Sequence, residues 1–292
     1  MAVRPLFSLA AAVGILAAFG LGYFAVNGFG DRADDVAAEA AAGPPQLGDF
    51  TTSFQTGRLK PGRLDSHIDY RLGPRTEHLY VHVPASYSAS AQDRYGLVVY
   101  LDPGDKIDGE PDGWQEVLDR RKLLFVAPLR AGNHWNVSLR LGIGVLSALE
   151  MERHYRIDPA RIYVAGLSGG ARMAGLLGFY QPDLFRGTIQ SCGADFYQRV
   201  PQVVATSQVD TAGEPYGVFD ATADEIQRAR QVRFALVTGS KDFRRGNIVD
   251  IYNGGFAATG YQAKLFDVPG KSHENADAAT LAAALDFIEA PK

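Results

Sequence analysis

Gly166-Leu167-Ser168-Gly169-Gly170, entered through Ile162-Tyr163-Val164-Ala165 and left through Ala171 to Tyr180, decides the reading of this chain. The apolar run predicts a strand and the segment after it predicts a helix. In that setting a Gly-x-Ser-x-Gly pentapeptide is a nucleophile elbow. The turn is tight enough to force the serine into a strained conformation. Side chains two residues to either side would collide with neighbouring backbone, and Gly166 and Gly170 remove them. Ser168 Oγ then stands at the carboxyl end of a strand, above a helix N-terminus whose N–H groups can hold a developing oxyanion.

Working outward, the chain alternates strand-like and helix-like runs from about Ile68 onward. Glu77 to Val83 alternates polar and apolar residues and ends at Pro84, as an antiparallel edge strand does. Leu97 to Leu101 is a solid apolar run, the mark of a strand buried on both faces. Leu123 to Ala127, Ile162 to Ala165, Thr188 to Ser191, Phe234 to Thr238 and Leu265 to Val268 read the same way. Helices are expected at Trp114 to Arg121, Leu139 to Tyr155, Ala171 to Tyr180, Asn247 to Thr259 and Ala276 to Ile288. In the second of these, Leu139, Ile143, Leu146 and Glu150 keep helical spacing. Strands separated by helices imply a mostly parallel, doubly wound sheet with its site at the carboxyl ends of the strands.

Composition narrows the function classes. The 292 residues carry 46% hydrophobic and 21% charged side chains, a globular balance. A net charge of −4 without a basic stripe argues against nucleic acid as a partner. The single cysteine, Cys192, excludes an internal disulfide and a Cys-based zinc site, and reads as a small buried hydrophobe. No metal or other cofactor is expected.

The N-terminus reads as a targeting segment. Leu6 to Val26 is almost continuously apolar, about the 20 residues a bilayer needs. Arg4 precedes it, and Asp31, Asp34, Asp35 and Glu39 follow, which puts the N-terminus in the cytoplasm and the remainder outside. Residues 1–30 are therefore expected to be an uncleaved anchor, with a cleaved signal peptide as the alternative. Residues 31–60 read as a flexible linker and 61–292 as the catalytic domain.

A serine hydroxyl needs a base, and the base needs a third group to hold its tautomer. Asp242 follows the strand Phe234 to Thr238, and His273 follows the strand ending at Val268. Both fall on the rim expected for Ser168. Asp195, Asp210 and Asp220 are rival acids. The other five histidines precede the serine. His78 and His82 lie roughly 13 Å apart at about 3.3 Å per residue, too far for one metal, and are expected to face solvent. His134 reads as a loop residue. The segment between Cys192 and Arg230 is expected to hold a lid, with Tyr197, Tyr216 and Phe219 as pocket or packing residues. Asn136-Val137-Ser138 is a formal glycosylation sequon, read as a chance occurrence.

Taken together, Leu79-Tyr80-Val81-His82-Val83-Pro84, Leu97 to Leu101, Ile157-Asp158-Pro159-Ala160-Arg161-Ile162 running into the elbow, Val237-Thr238-Gly239-Ser240-Lys241-Asp242 and Val268-Pro269-Gly270-Lys271-Ser272-His273 carry a resemblance. The chain resembles the α/β-hydrolase esterases that include polyhydroxybutyrate depolymerases and feruloyl esterases. The resemblance spans about residues 77–290. It implies a Ser168–His273–Asp242 triad and hydrolysis of a small or polymeric carboxylic ester through an acyl-enzyme. It departs where such enzymes place His-Gly after the third strand, because here Asp102-Pro103-Gly104-Asp105 follows Leu101. Pro103 has no N–H to donate, which leaves Gly104 and Gly169 as the expected oxyanion donors. A carboxylate from Asp102 or Asp105 would oppose an oxyanion unless paired or turned away. Two alternatives stand beside ester hydrolysis: a membrane-tethered binding protein on the same fold, and a serine peptidase.

Overall fold

The computed structural model describes residues 45–58, 72–90, 92–200 and 218–291. One eight-stranded sheet organises them: β1 (Gly48–Gln55), β2 (Thr76–Val83), β3 (Gly96–Leu101), β4 (Leu123–Pro128), β5 (Ile162–Leu167), β6 (Gly187–Ser191), β7 (Arg233–Gly239) and β8 (Ala263–Val268). Their spatial order is β1-β2-β4-β3-β5-β6-β7-β8. β1 and β2 run antiparallel to their neighbours, and β4, β3, β5, β6, β7 and β8 are mutually parallel.

The central strands are legible because both of their faces are covered. Leu97, Val99 and Leu101 enter one apolar cluster with α2 (Val137–His154) and α3 (Gly169–Tyr180). Val98 and Tyr100 enter the opposite cluster with α1 (Trp114–Arg120) and α6 (Ala278–Glu289). Successive strand residues point to opposite faces, so an unbroken apolar run feeds two layers of helices at once. Two further helices as short as α1 are α4 (Ala223–Ala229) and α5 (Arg245–Ile251).

The linker reading of 31–60 needs correction. β1 lies inside that range and pairs with β2 along its whole length, from Gly48 opposite Val83 to Gln55 opposite Thr76. The folded unit therefore starts upstream of residue 61, and β2 is not the edge strand. In β1 only Phe50, Thr52 and Phe54 turn inward, so one covered face gave a weak apolar signal. His82 also differs from expectation. His78 is exposed, but His82 is 2% exposed. Its Nδ1 lies 2.6 Å from Asp49 Oδ1 and its Nε2 lies 2.8 Å from Asp119 Oδ1. Burial alone would lower the His82 pKa, but hydrogen bonds to Asp119 and Asp49 and the charge of Glu110 leave it raised.

The apolar stretch Leu6 to Val26 lies outside the described residues, as do Asp210 and Tyr216. Among the described residues, no helix is long and apolar enough to cross a membrane. Tyr197 and Phe219 pack on Phe179, with ring centroids 5.6 and 5.1 Å away, which makes them packing residues of the segment expected to hold a lid. The Asn136 side chain caps α2 by accepting the Leu139 N–H at 2.8 Å, a structural use that accounts for an asparagine there.

Candidate active site

β5 ends at Leu167, α3 begins at Gly169, and Ser168 is the single residue between them. It takes φ 54° and ψ −115°, a left-handed conformation that costs a non-glycine residue about 1–3 kcal/mol. Its N–H donates to the Ser191 carbonyl at 2.8 Å, and its own carbonyl accepts from Arg172 at 3.2 Å. The turn is therefore held between the β6 ladder and the first turn of α3. Close packing explains its glycines. A methyl on Gly170 would overlap the Leu101 carbonyl group, with its carbon 2.6 Å from Leu101 C. A methyl on Gly169 would come within 2.7 Å of Asn133 Cγ and 3.0 Å of its Nδ2.

The last two strands deliver the other two groups. After β7 the chain turns so that the Asp242 N–H meets the Gly239 carbonyl at 2.9 Å. Asp242 is 5% exposed and accepts hydrogen bonds from His273 Nδ1 at 2.7 Å, Thr238 Oγ1 at 2.7 Å and the Arg244 amide at 2.9 Å. Burial by itself would raise its pKa. The donors, His273 foremost, reverse that and hold the carboxyl below its usual value.

His273 sits after β8 on a well-tethered loop. Next to it, Asn275 accepts from the Tyr100 hydroxyl at 3.0 Å, and the Ala276 carbonyl accepts from Trp114 Nε1 at 2.6 Å. Asp277 then caps α6 through the Thr280 N–H at 2.8 Å. With Nδ1 directed at a carboxylate, Nε2 is the ring nitrogen left to exchange a proton. Phe243, 73% exposed, stacks on the His273 ring at 4.2 Å. Cys192 is buried at φ 60°, its sulfur 3.3 Å from the Glu274 carbonyl oxygen. Burial, helped by the Asp242 charge, pushes its thiol up to about 12, so it stays protonated and non-nucleophilic.

The segment after β3 arranges its carboxylates away from trouble. Asp105 accepts from the Gly132 amide at 2.6 Å and Trp135 Nε1 at 2.8 Å, and His134 Nε2 lies 3.1 Å from it. Asp102 Oδ1 accepts the Gly104 N–H at 2.7 Å. That bond engages the amide expected to serve an oxyanion. Burial raises the Asp102 pKa despite this bond. Asn133 is tied to the same turn, its N–H donating to the Pro103 carbonyl at 2.8 Å.

Of the rival acids, Asp195 is buried against Arg172 at 2.6 Å, and the Asp220 side chain is exposed. Sequence reasoning missed Thr238, Arg244 and Asn133. Only Thr238 had a usable signal, as the inward residue at the end of β7 ahead of the acid. A recess beside Ser168 is lined by Arg172, Cys192, Arg244, Asn247, Ile248 and Ile251, among others.

This sheet order, with a left-handed serine between its fifth strand and the following helix, is the α/β-hydrolase fold. Among proteins of known function, the chain is similar to the poly(3-hydroxybutyrate) depolymerase of Ralstonia pickettii, 33% identical over 132 residues. That match takes in 37% of this chain and 27% of the relative, so the chain spans about a quarter of the relative's length. Among solved structures, a poly(3-hydroxybutyrate) depolymerase from Bordetella parapertussis superposes with a TM-score of 0.55 at 19% identity, over 87% of this chain and 98% of that one. A ferulic acid esterase superposes with a TM-score of 0.54 at 17% identity, over 82% and 96%. No family model matches the chain.

Proposed function

We propose that the protein is a serine hydrolase that cleaves carboxylic esters through an acyl-enzyme, with Ser168 as nucleophile, His273 as general base and acid, and Asp242 as its orienting group. The observation that carries this reading is the 2.7 Å Asp242–His273 pair on the same strand-end rim as a serine strained into a left-handed elbow. Structural packing alone gives no reason to hold a serine in that conformation. The names of the similar proteins, two polyester depolymerases and a ferulic acid esterase, support an ester as the substrate, small or polymeric.

Ser168 Oγ attacks the ester carbonyl carbon while His273 Nε2 takes the hydroxyl proton. The tetrahedral intermediate collapses, the C–O bond to the alcohol breaks, and the alcohol leaves with that proton. A water molecule then gives its proton to His273 and attacks the acyl carbon, which returns Ser168 and releases the acid.

The Gly169 N–H and the Asn133 side-chain amide hold the oxyanion in this scheme. Pro103 has no N–H, Gly104 is bonded to Asp102, and the Asn133 amide fills the space beside Gly169, at the helix N-terminus, that a side chain there would need. Asn133→Ala is expected to lower kcat by about 10²–10³ with little change in KM. Steady-state kinetics on a short-chain nitrophenyl ester checks this, and an unchanged kcat would remove Asn133 from the role.

The apolar stretch Leu6 to Val26 and the acidic residues after it support action outside the cytoplasmic membrane, either anchored by the N-terminus or secreted after signal cleavage. The test of the whole proposal is covalent labelling with a fluorophosphonate followed by peptide mapping. The expected adduct is on Ser168, and it requires His273. Folded protein that takes no label would favour a binding role for the fold.

A further inference from the structure

We infer that Asp49, His82 and Glu110 form a binding site for one divalent transition-metal cation of the zinc class, set apart from the catalytic rim. Asp49 lies on β1 and His82 on β2, Glu110 follows β3, and Asp119 lies on α1. In the sheet, β4 and β3 separate β2 from β5, the strand that leads into Ser168.

The argument starts from hydrogen-bond bookkeeping around one imidazole. His82 Nε2 faces Asp119 Oδ1 at 2.8 Å; with the proton of the neutral ring held there, Nδ1 is free to offer its lone pair to a cation. Nδ1 lies 2.6 Å from Asp49 Oδ1 and 3.6 Å from Glu110 Oε1. A contact of 2.6 Å between a nitrogen and a carboxylate oxygen needs a proton or a cation between them. A proton satisfies the Asp49 pair and nothing more. Glu110 Oε1 remains, and it is buried without a hydrogen bond on a side chain only 7% exposed. Its other oxygen already accepts the Tyr80 hydroxyl at 3.3 Å. An orphaned carboxylate oxygen in such a place is costly. One divalent cation bound by Nδ1, Oδ1 and Oε1 resolves all three.

The dimensions and donor types agree. Zinc takes histidine nitrogen and carboxylate oxygen at about 2.0–2.2 Å in a tetrahedron, which places ligand atoms about 3.4 Å apart. The separations of 2.6 and 3.6 Å bracket that value. One nitrogen and two carboxylates suit zinc and its neighbours better than calcium, which asks for six to eight oxygens. Asp119 is placed as the carboxylate that fixes a metal-ligating histidine through its far nitrogen. Asp49, half exposed, leaves the fourth position open to solvent. The cation would clasp the outer strands β1 and β2 to the loop after β3, whose Pro103–Gly104 turn lies beside the elbow. Its role is thus structural, and it takes no part in the ester chemistry.

The experiment is a titration of chelator-treated, full-length protein with zinc chloride against a competing zinc dye, beside melting curves with and without zinc. One saturable equivalent is expected, with a melting temperature raised by roughly 5–10 °C at a hundredfold excess over Kd. Glu110→Gln and Asp49→Asn are each expected to abolish saturable binding while keeping the metal-free melting temperature and ester turnover. Asp119→Asn should weaken binding about 10–100-fold. The proposal is overturned if folded wild-type protein binds no zinc, or if both ligand variants bind it undiminished. It is equally overturned if binding survives in them and disappears in His273→Ala. The metal would then belong to Cys192, Asp242 and His273, the other group among the described residues close enough to share one.

Discussion

Replacing Ser168 by Ala is expected to lower kcat for ester hydrolysis by about 10⁶, and His273→Ala by a similar factor, with the double variant no slower than either single one. Groups that act as one unit fail as one unit, because a base without its nucleophile has no proton to take. Asp242 stands one bond further back. Asp242→Asn keeps the shape of the carboxylate but offers an N–H where His273 Nδ1 now directs its own, 2.7 Å away. The ring then settles in the wrong tautomer, and kcat is expected to fall by about 10⁴. Thr238 and the Arg244 amide, 2.7 and 2.9 Å from the same carboxylate, keep residue 242 in place, so the loss should be chemical and not conformational. Steady-state kinetics on all four variants, with melting curves to establish folding, tests the scheme. Losses from Ser168→Ala and His273→Ala that multiply in the double variant would dismiss a shared catalytic unit.

Gly170→Ala is expected to be the most damaging single methyl in the molecule, costing more than about 4 kcal/mol, a large part of a stability of roughly 5–15 kcal/mol. The added carbon would lie 2.6 Å from Leu101 C, which is backbone at the end of β3. No rotamer can relieve that overlap. Either α3 lifts away and opens the cluster on its own face of the sheet, or β3 shifts and disturbs the core on both faces. A melting temperature lower by roughly 10 °C or more, or a collapse in soluble yield, is the expected reading. Gly246→Ala supplies the control. Gly246 lies on the exposed surface of α5 with nothing within 4 Å of its added carbon, so the same methyl should raise stability by about 0.5–1 kcal/mol. If Gly170→Ala melts like the wild type, the close contact between elbow and β3 is not the constraint described here.

The parts of the fold that the sequence made legible are those with a one-dimensional signature. β3 to β7 read as strands because apolar residues serve two faces at once, and the elbow read as an elbow because its glycines stand where backbone meets backbone. Asp242 and His273 could be placed because each follows a strand end directly. β1 escaped notice because Phe50-Thr51-Thr52-Ser53-Phe54 buries one face alone, a faint alternation inside a polar, glycine-bearing stretch. His82 was misjudged for a different reason. Counting residues along β2 gave its distance from His78, but not the carboxylates that β1, α1 and the loop after β3 bring to it. The engagement of Gly104 by Asp102 is likewise a matter of where one side chain folds back, and no spacing encodes it.

The sheet ends on β1 at one side and β8 at the other, and both borders are dressed against company. Asp49, Thr51, Ser53 and Gln55 face solvent along β1. On β8, Lys264 and Asp267 are exposed, and Asp267 is gripped by Arg245 at 2.6 Å. Charged and polar side chains along an open ladder discourage another strand from docking there. Copies of this protein crowded together would therefore meet without a ready seam for edge-to-edge aggregation at these two strands.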